Sequence, residues 1–352
     1  MGVIKVPELA ISYFNSNYAQ IISSGNLAEG QWNEKLTGSV VSISGQKYAV
    51  PTCSNGAGMM ALLQIYKEYY GRKKVMIQSN TMYGVKTMVK SGGHELVGYI
   101  DCQLETLMPK LGDVESAVES YNGQMNELII LLSDIGGIIN PDAEQIADYC
   151  KAQDIIFLED CAHSFGASLN NKQAGTFGNA GVYSFYATKA VFAGEGGVVI
   201  TGDEKLAELV KGYTIYDRFE QKMQIGVNIR LPEIQALMIF SVIKYYRNII
   251  ETKKQIAEKY IEICNEFNIS YIDQESKNLI GNYYKFILLS EDKRIGEYLP
   301  NLQTKTSAVY DYFLGSSNTI AEHHCCLPIW FGQEEEITET VICELRQSMS
   351  NL

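Results

Sequence analysis

The sequence predicts an α/β fold: a mostly parallel sheet covered by helices on both faces, followed by a smaller C-terminal α/β unit. Three observations lead there. Short runs rich in Val, Ile, Leu and Tyr alternate with stretches of helical period. Several of those runs are apolar without alternation, as strands buried on both faces are. No apolar stretch reaches the roughly 20 residues that a membrane span needs.

The elements follow in order. Strands are expected at Val75–Gln78, Leu96–Ile100, Leu128–Leu132, Ile155–Leu158, Val182–Tyr186 and Val198–Thr201. Helices at Met59–Tyr70 and Ala143–Ala152 fall between them, and this alternation builds a layered sheet. A long helical pattern runs from Pro232 to about Glu266, with Pro232 suited to a first turn. It enters a small domain, 231–352, after a large domain, 1–230. In the small domain, Tyr283–Leu289 reads as a strand and Glu335–Met349 as the final helix. The segment Tyr213–Val227 is polar and mixed in charge, and reads as a mobile loop near a substrate.

Composition narrows the function. The 352 residues are 46% hydrophobic and 20% charged, which is ordinary for a soluble enzyme. A net charge of −12 speaks against a nucleic-acid partner, which needs a basic face. The eight cysteines include no C-x-x-C pair, and no apolar signal core opens the chain, so a reducing cytoplasm is expected. No metal is expected either. His323-His324-Cys325-Cys326 has ligand chemistry, but neighbours in an extended segment face opposite ways. His94 follows two glycines and reads as a surface turn residue.

The chemistry concentrates between Glu159 and Gly197. The apolar run Ile155-Ile156-Phe157-Leu158 carries Glu159 and Asp160 to the carboxyl end of a strand, where ligand-binding residues collect. A buried aspartate there needs a cationic partner; a solitary one would simply cap the next helix. In the run Val182–Tyr186, alternation puts Ser184 and Tyr186 on one face and Tyr183 and Phe185 on the other. Lys189 follows, flanked by Phe185, Tyr186, Val191 and Phe192, surroundings unlike those of a solvated surface lysine. Gly194, Gly196 and Gly197 then allow tight turns beside a bulky ligand. Such a lysine and carboxylate suit pyridoxal phosphate: the lysine closes a Schiff base with its aldehyde, and the carboxylate keeps its pyridine nitrogen protonated. Gly56 precedes the helix at Met59, whose N-terminus suits a phosphate.

An ordered set of motifs resembles the DegT/StrS-type sugar aminotransferases. They are Ser24-Gly25-Asn26-Leu27 with Gly30, Ser54-Asn55-Gly56-Ala57, Ile135-Gly136-Gly137 with Pro141-Asp142, and the Glu159–Gly197 segment. Gly226-x-Asn228-x-Arg230 with Glu233-Ile234-Gln235-Ala236, and Ala321-Glu322 through Cys326-Leu327-Pro328-Ile329, complete it over nearly the whole chain. The resemblance implies a fold-type I architecture, with a three-layer α/β/α large domain on a mostly parallel mixed sheet. It implies a homodimer that moves an amino group from L-glutamate to a keto-sugar nucleotide. Lys189 would bind pyridoxal 5'-phosphate and shuttle a proton. Asp160 would meet the pyridine nitrogen, with His163 beside the ring. Ser184 and the amides of Gly56 and Ala57 would hold the phosphate, Asn55 would be a further cofactor contact, and Asn228 would reach the phosphate from the other subunit. The ring-stacking position falls on Met82 or Tyr83, and Tyr83 is preferred. Arg218, Arg230 and Tyr310 are candidate substrate contacts.

Two positions depart from the family. Ala57 replaces a threonine, and Asp134 stands where histidine is frequent. Other readings within the resemblance are a cyclitol or other ketone acceptor, a sugar dehydratase, or a non-catalytic relative. Lys189 argues against the dehydratase branch, which carries histidine there.

Overall fold

The structure, a computed structural model, describes residues 5–276, 278–312, 314 and 319–350. Helices α1 (Glu8–Ser24) and α2 (Gln31–Ser44) come first, each closed by a left-handed glycine, Gly25 and Gly45. Strand β1 (Tyr48–Thr52) leads to α3 (Asn55–Tyr70), which starts where the Ser54 hydroxyl accepts the Ala57 N–H at 3.1 Å. Next come β2 (Lys74–Gln78), α4 (Tyr83–Ser91), β3 (Glu95–Ile100) and α5 (Leu111–Glu119). They are followed by β4 (Leu128–Ser133), α6 (Ala143–Ala152) and β5 (Ile156–Cys161). The short strands β6 (Ser168–Leu169) and β7 (Lys172–Gln173) precede β8 (Ala180–Ser184), β9 (Gly197–Thr201) and α7 (Glu204–Thr214).

The main sheet has the order β1-β9-β8-β5-β4-β2-β3. Only β9 in it runs against the others, pairing antiparallel with both β1 and β8. Every residue of β4, β8 and β9 is buried, as non-alternating apolar runs require. Leu62, Leu63, Ile77, Val182 and Val199 share one core with α3, while Ile130, Phe157 and Ile146 pack on α6 across the sheet. Strand β1 is not among the expected strands. It contains Pro51, which the ladder tolerates because β1 is an edge.

The expected long helix is two: α8 (Glu233–Ile243) and α9 (Tyr246–Phe267). The apolar face changes partner at Lys244–Tyr245. Helix α8 packs on α1 and α2, where Phe240 meets Tyr13 and Trp32 with ring centres 5.9 and 5.7 Å away. Helix α9 packs on the last helix of the chain. The C-terminal part continues with β10 (Leu279–Ile280), β11 (Phe286–Leu289), the short α10 (Ile295–Tyr298), β12 (His324–Leu327) and α11 (Glu335–Ser350). Strand β11 starts later than the expected Tyr283 because Tyr283 is left-handed, at φ 53°. Strand β10 pairs with β6, so the C-terminal part is sewn to the large one by a three-stranded sheet.

Glu233 explains two motifs at once. Its buried carboxylate accepts the Asn33 N–H at 2.8 Å, the Trp32 N–H at 3.1 Å and the Asn33 side-chain amide at 2.9 Å. It thereby caps α2, and Gly30 must be small because an added Cβ would lie 3.0 Å from its oxygen. Glu233→Ala leaves those buried donors unpaired. It should lower stability by about 1–3 kcal/mol, read as an earlier denaturant midpoint; an unchanged midpoint would refute this role.

His94 is buried rather than on the surface, and burial holds its imidazole below the usual value. In the His323–Cys326 segment, His323 Nδ1 bonds Ser290 O and His324 Nδ1 bonds Ile320 O, each at 2.7 Å. Among the described residues no group of three or more His, Cys, Asp or Glu could hold a metal ion. No helix among them is long and apolar enough to cross a membrane.

Candidate active site

The carboxyl ends of β4, β5 and β8 meet beside the N-terminus of α3. Ser133 pairs in register with Asp160, and Asp160 with Val182. Gly197 makes the approach of α3 possible: a Cβ there would lie 2.4 Å from the backbone of Ser54. A cleft of about 250 Å³ opens at this junction. Its walls include Asn55, Gly56, Asp160, His163, Ser184, Lys189 and Tyr310. Residues scattered from the third helix to the C-terminal part therefore converge on one cleft. A larger hollow of about 800 Å³ lies at the outer edge, between β3 and α5, and holds no comparable pairing of a lysine with a carboxylate.

Asp160 is buried but well supplied with donors. Its carboxylate accepts the Asn55 amide at 3.0 Å, the Ser133 hydroxyl at 3.2 Å and the Ala162 N–H at 3.2 Å. Ser133 in turn shares a hydrogen bond with Thr81 at 2.7 Å. Burial raises the Asp160 carboxyl above its ordinary value, while the Lys189 charge and these donors pull the other way. Next door, Glu159 accepts three backbone N–H groups, from Gly175, Phe177 and Gly178. It is a structural carboxylate, committed to holding the turn before β8.

His163 is buried, and its ring centre lies 4.5 Å from that of Tyr284 and 6.1 Å from that of Tyr310. Burial, with the charges of Lys189 and Lys285, holds it well below the usual histidine value, so the ring is neutral near pH 7. Its Nδ1 has no hydrogen-bond partner among the described residues. Ser184 accepts only a long bond, 3.4 Å, from the Tyr186 N–H, which leaves its proton to donate. These features fit pyridoxal phosphate: a lysine facing a carboxylate, a neutral imidazole with a free Nδ1 and its Nε2 3.5 Å from the Tyr310 hydroxyl, and a serine beside a helix N-terminus.

Several expected residues sit differently. Met82, not Tyr83, lines the cleft; Tyr83 packs edge-on against Tyr312, whose hydroxyl accepts its N–H at 2.5 Å. The Ala57 N–H is taken by the Ser54 cap, so Asn55 and Gly56 are the helix-end residues at the cleft. Asn228 is exposed, bridges Ile215, and accepts the Arg230 side chain at 3.0 Å. Arg230 also faces Glu29 at 3.5 Å, and the exposed Arg218 lies over Phe219. Neither arginine lines this cleft. The segment expected to be a mobile loop is tied internally, with Asp217 accepting the Met223 N–H at 2.6 Å. Ser133 was not anticipated. The signal that found Asp160, a polar residue ending an apolar run, also marks Ser133 after Leu128–Leu132.

Asp134 accepts the Asn140 N–H at 3.1 Å and the Ser164 hydroxyl at 2.5 Å. Burial pushes its carboxyl from 3.8 up to about 7. Between those values the folded chain holds a proton that the unfolded chain has lost, so its contribution to stability falls as pH rises. Asp134→Asn should flatten that fall in thermal melts taken from pH 4 to 7. An unchanged slope would exclude Asp134 as its source.

Comparison with known proteins agrees with the geometry. The model of the DegT/DnrJ/EryC1/StrS aminotransferase family matches residues 11–346. The chain is 25% identical to GDP-perosamine synthase of Escherichia coli O157:H7 over 280 residues, 78% of this chain and 74% of that protein. It is 25% identical to UDP-4-amino-4,6-dideoxy-N-acetyl-beta-L-altrosamine transaminase of Helicobacter pylori, over 70% of this chain and 66% of that one. Among solved structures, DesV of S. venezuelae, in complex with a ketimine intermediate, superimposes with a TM-score of 0.85 over the whole of both chains at 18% identity. PseC of Helicobacter pylori gives 0.82 over 97% of each chain at 19% identity. With its fold, its cleft and its sequence in agreement, the chain belongs to the DegT/DnrJ/EryC1/StrS aminotransferase family.

Proposed function

We propose that this protein is a pyridoxal-phosphate-dependent transaminase that moves an amino group from L-glutamate to a keto-sugar carried on a nucleotide. The observation that carries the reading is the convergence of Lys189, Asp160 and neutral His163 on one cleft. Relatives named as perosamine synthase and altrosamine transaminase support the sugar acceptor. When bound, the cofactor supplies an aldehyde for amine capture and an electron sink for a carbanion.

The chain's own residues do the rest. Lys189 Nζ would hold the cofactor and would serve as the base that moves a proton at the donor carbon. Asp160, fixed by Asn55 and Ser133, keeps a proton on the pyridine nitrogen. His163 offers the ring an uncharged polar edge. Asn55 and Gly56 at the start of α3, with the Ser184 hydroxyl, receive the phosphate. Met82 and Tyr310 form side walls of the cleft.

The site is completed in a homodimer. Asn228 is exposed and does not line its own cleft, which suits a role in the partner's. Leu9, Ile11, Ile22, Leu27 and Ile234 leave an exposed apolar surface that a second copy would cover.

The test is the near-visible absorption spectrum of the protein with pyridoxal phosphate, before and after glutamate. Conversion of the lysine-bound form to the pyridoxamine form establishes the half-reaction, and a panel of keto-sugar nucleotides then identifies the acceptor. A spectrum that shows no lysine-bound cofactor refutes the reading.

A further inference from the structure

Three lysines converge on one ring. The ammonium groups of Lys189 and Lys285 each lie 5.2 Å from the centre of Tyr284, and that of Lys253 lies 5.8 Å away. Tyr284 packs on His163, and His163 and Lys189 line the cleft, so the arrangement lies one side chain behind its wall. Lys189 has its role. Lys253 and Lys285 have none in the reaction described so far.

Their surroundings are unusual for lysines. Lys253 projects from α9 and is 3% exposed. Almost no lysine is so buried without a carboxylate, yet among the described residues neither Lys253 nor Lys285 has an ion-pair partner. Glu275, which accepts from the neighbouring Tyr283, pairs with Lys254 at 2.6 Å. The charged group that faces Lys253 is Lys285, and their mutual repulsion adds to burial in pushing Lys253 down to about 7. From the other elements packed here, Tyr284 presents its ring, β12 presents Cys326 to Lys285, and His163 is neutral. Among the described residues no carboxylate pairs with either ammonium group. One oxyanion between them would turn the repulsion into two charge-assisted hydrogen bonds.

We propose that Lys253 and Lys285, beside Tyr284, form a subsite for an oxyanion of a substrate. The inference rests on the transaminase reading of the neighbouring cleft and names what that cleft recognises. Two sources share the chemistry: the carboxylate of the amino donor and the diphosphate of the acceptor. The geometry points to the donor. Its α-carboxylate is bonded to the very carbon that Lys189 deprotonates, so it must lie close to Lys189, and both other lysines share a ring with Lys189. Arrival of the anion stabilises the charged form of Lys253, so above pH 7 binding takes up a proton.

The test uses the full chain loaded with pyridoxal phosphate, as wild type and as Lys253→Met, a swap of similar volume that removes a buried charge and should not impair folding. Calorimetry at pH 8 in two buffers of different ionisation enthalpy gives the protons taken up when L-glutamate binds. Single-turnover spectra give its apparent affinity. Lys253→Met is expected to weaken glutamate by roughly ten- to a hundred-fold and to abolish the proton uptake, with Lys285→Met weakening it likewise. If glutamate is unaffected but a nucleoside diphosphate loses affinity and proton uptake, the subsite stands and its occupant is the acceptor. If neither ligand changes while the cofactor spectrum is normal, the subsite is refuted and the transaminase reading survives. If wild type shows no lysine-bound cofactor, the transaminase reading fails first, and the same glutamate titration on cofactor-free protein still decides the subsite.

Discussion

Lys189→Ala is expected to abolish turnover while leaving the fold intact. The side chain is only partly buried, and its ammonium makes no hydrogen bond or ion pair among the described residues that the fold depends on. What anchors this segment is backbone: the Lys189 N–H bonds Tyr186 O at 2.9 Å, and Gln235 holds Ala193 O at 2.6 Å. Neither bond needs the lysine side chain. The loss should exceed the roughly 10²–10⁴-fold typical of a removed proton shuttle, because in the proposed reading the same residue would also anchor the cofactor. Circular dichroism and melting should match wild type, and the lysine-bound absorption should vanish. Normal turnover in this variant would overturn the assignment of the cofactor lysine.

The second large effect is expected from Asp160→Asn. The amide is nearly isosteric, so the Ser133 and Ala162 contacts can persist, but the negative charge opposite Lys189 is gone. An amide also offers its own N–H toward a ring nitrogen, the wrong polarity for holding a proton there. The amino-donor half-reaction should slow by about 10²-fold or more, measured by stopped-flow absorption with cofactor saturating. A wild-type rate would show that the carboxylate does not sustain the electron sink. Asn55 gives an internal control. Its amide donates to Asp160 and also to Val182 O at 2.9 Å, so Asn55→Ala should displace the carboxylate without removing its charge and cost less.

What could be read in the sequence was whatever a short window encodes. Leu128–Ser133, Ile156–Cys161 and Gly197–Thr201 are buried on both faces, so each run is apolar throughout and announces itself. Asp160 and Lys189 stand out because a charge ends or interrupts such a run. The missed features depend on distant residues. Strand β1 owes its place to β9, almost 150 residues later, and its proline to being an edge. The split between α8 and α9 has no proline or glycine to mark it, only a change in what lies underneath. The choice of Met82 over Tyr83 depends on Tyr312, which claims the Tyr83 N–H from the other end of the chain. Lys253 reads locally as one more polar position on an amphipathic helix. Its burial appears only once Tyr284 and Lys285 are folded against it.

The seam between the two parts of the chain has a consequence for how a substrate is chosen. Strand β10 continues the ladder of β6 and β7, Asn282 donates to the carbonyls of His163 and Phe165, and Gln274 donates to that of Gly136. Each of these bonds would have to break for one part to swing away from the other. Closing on a substrate by swinging one part would therefore cost several buried hydrogen bonds. A seam held in this way favours discrimination by the outline of the cleft mouth and the charges around it. In the proposed reaction a bulky acceptor would need to bring only one carbonyl into the cleft while the rest of it stays outside.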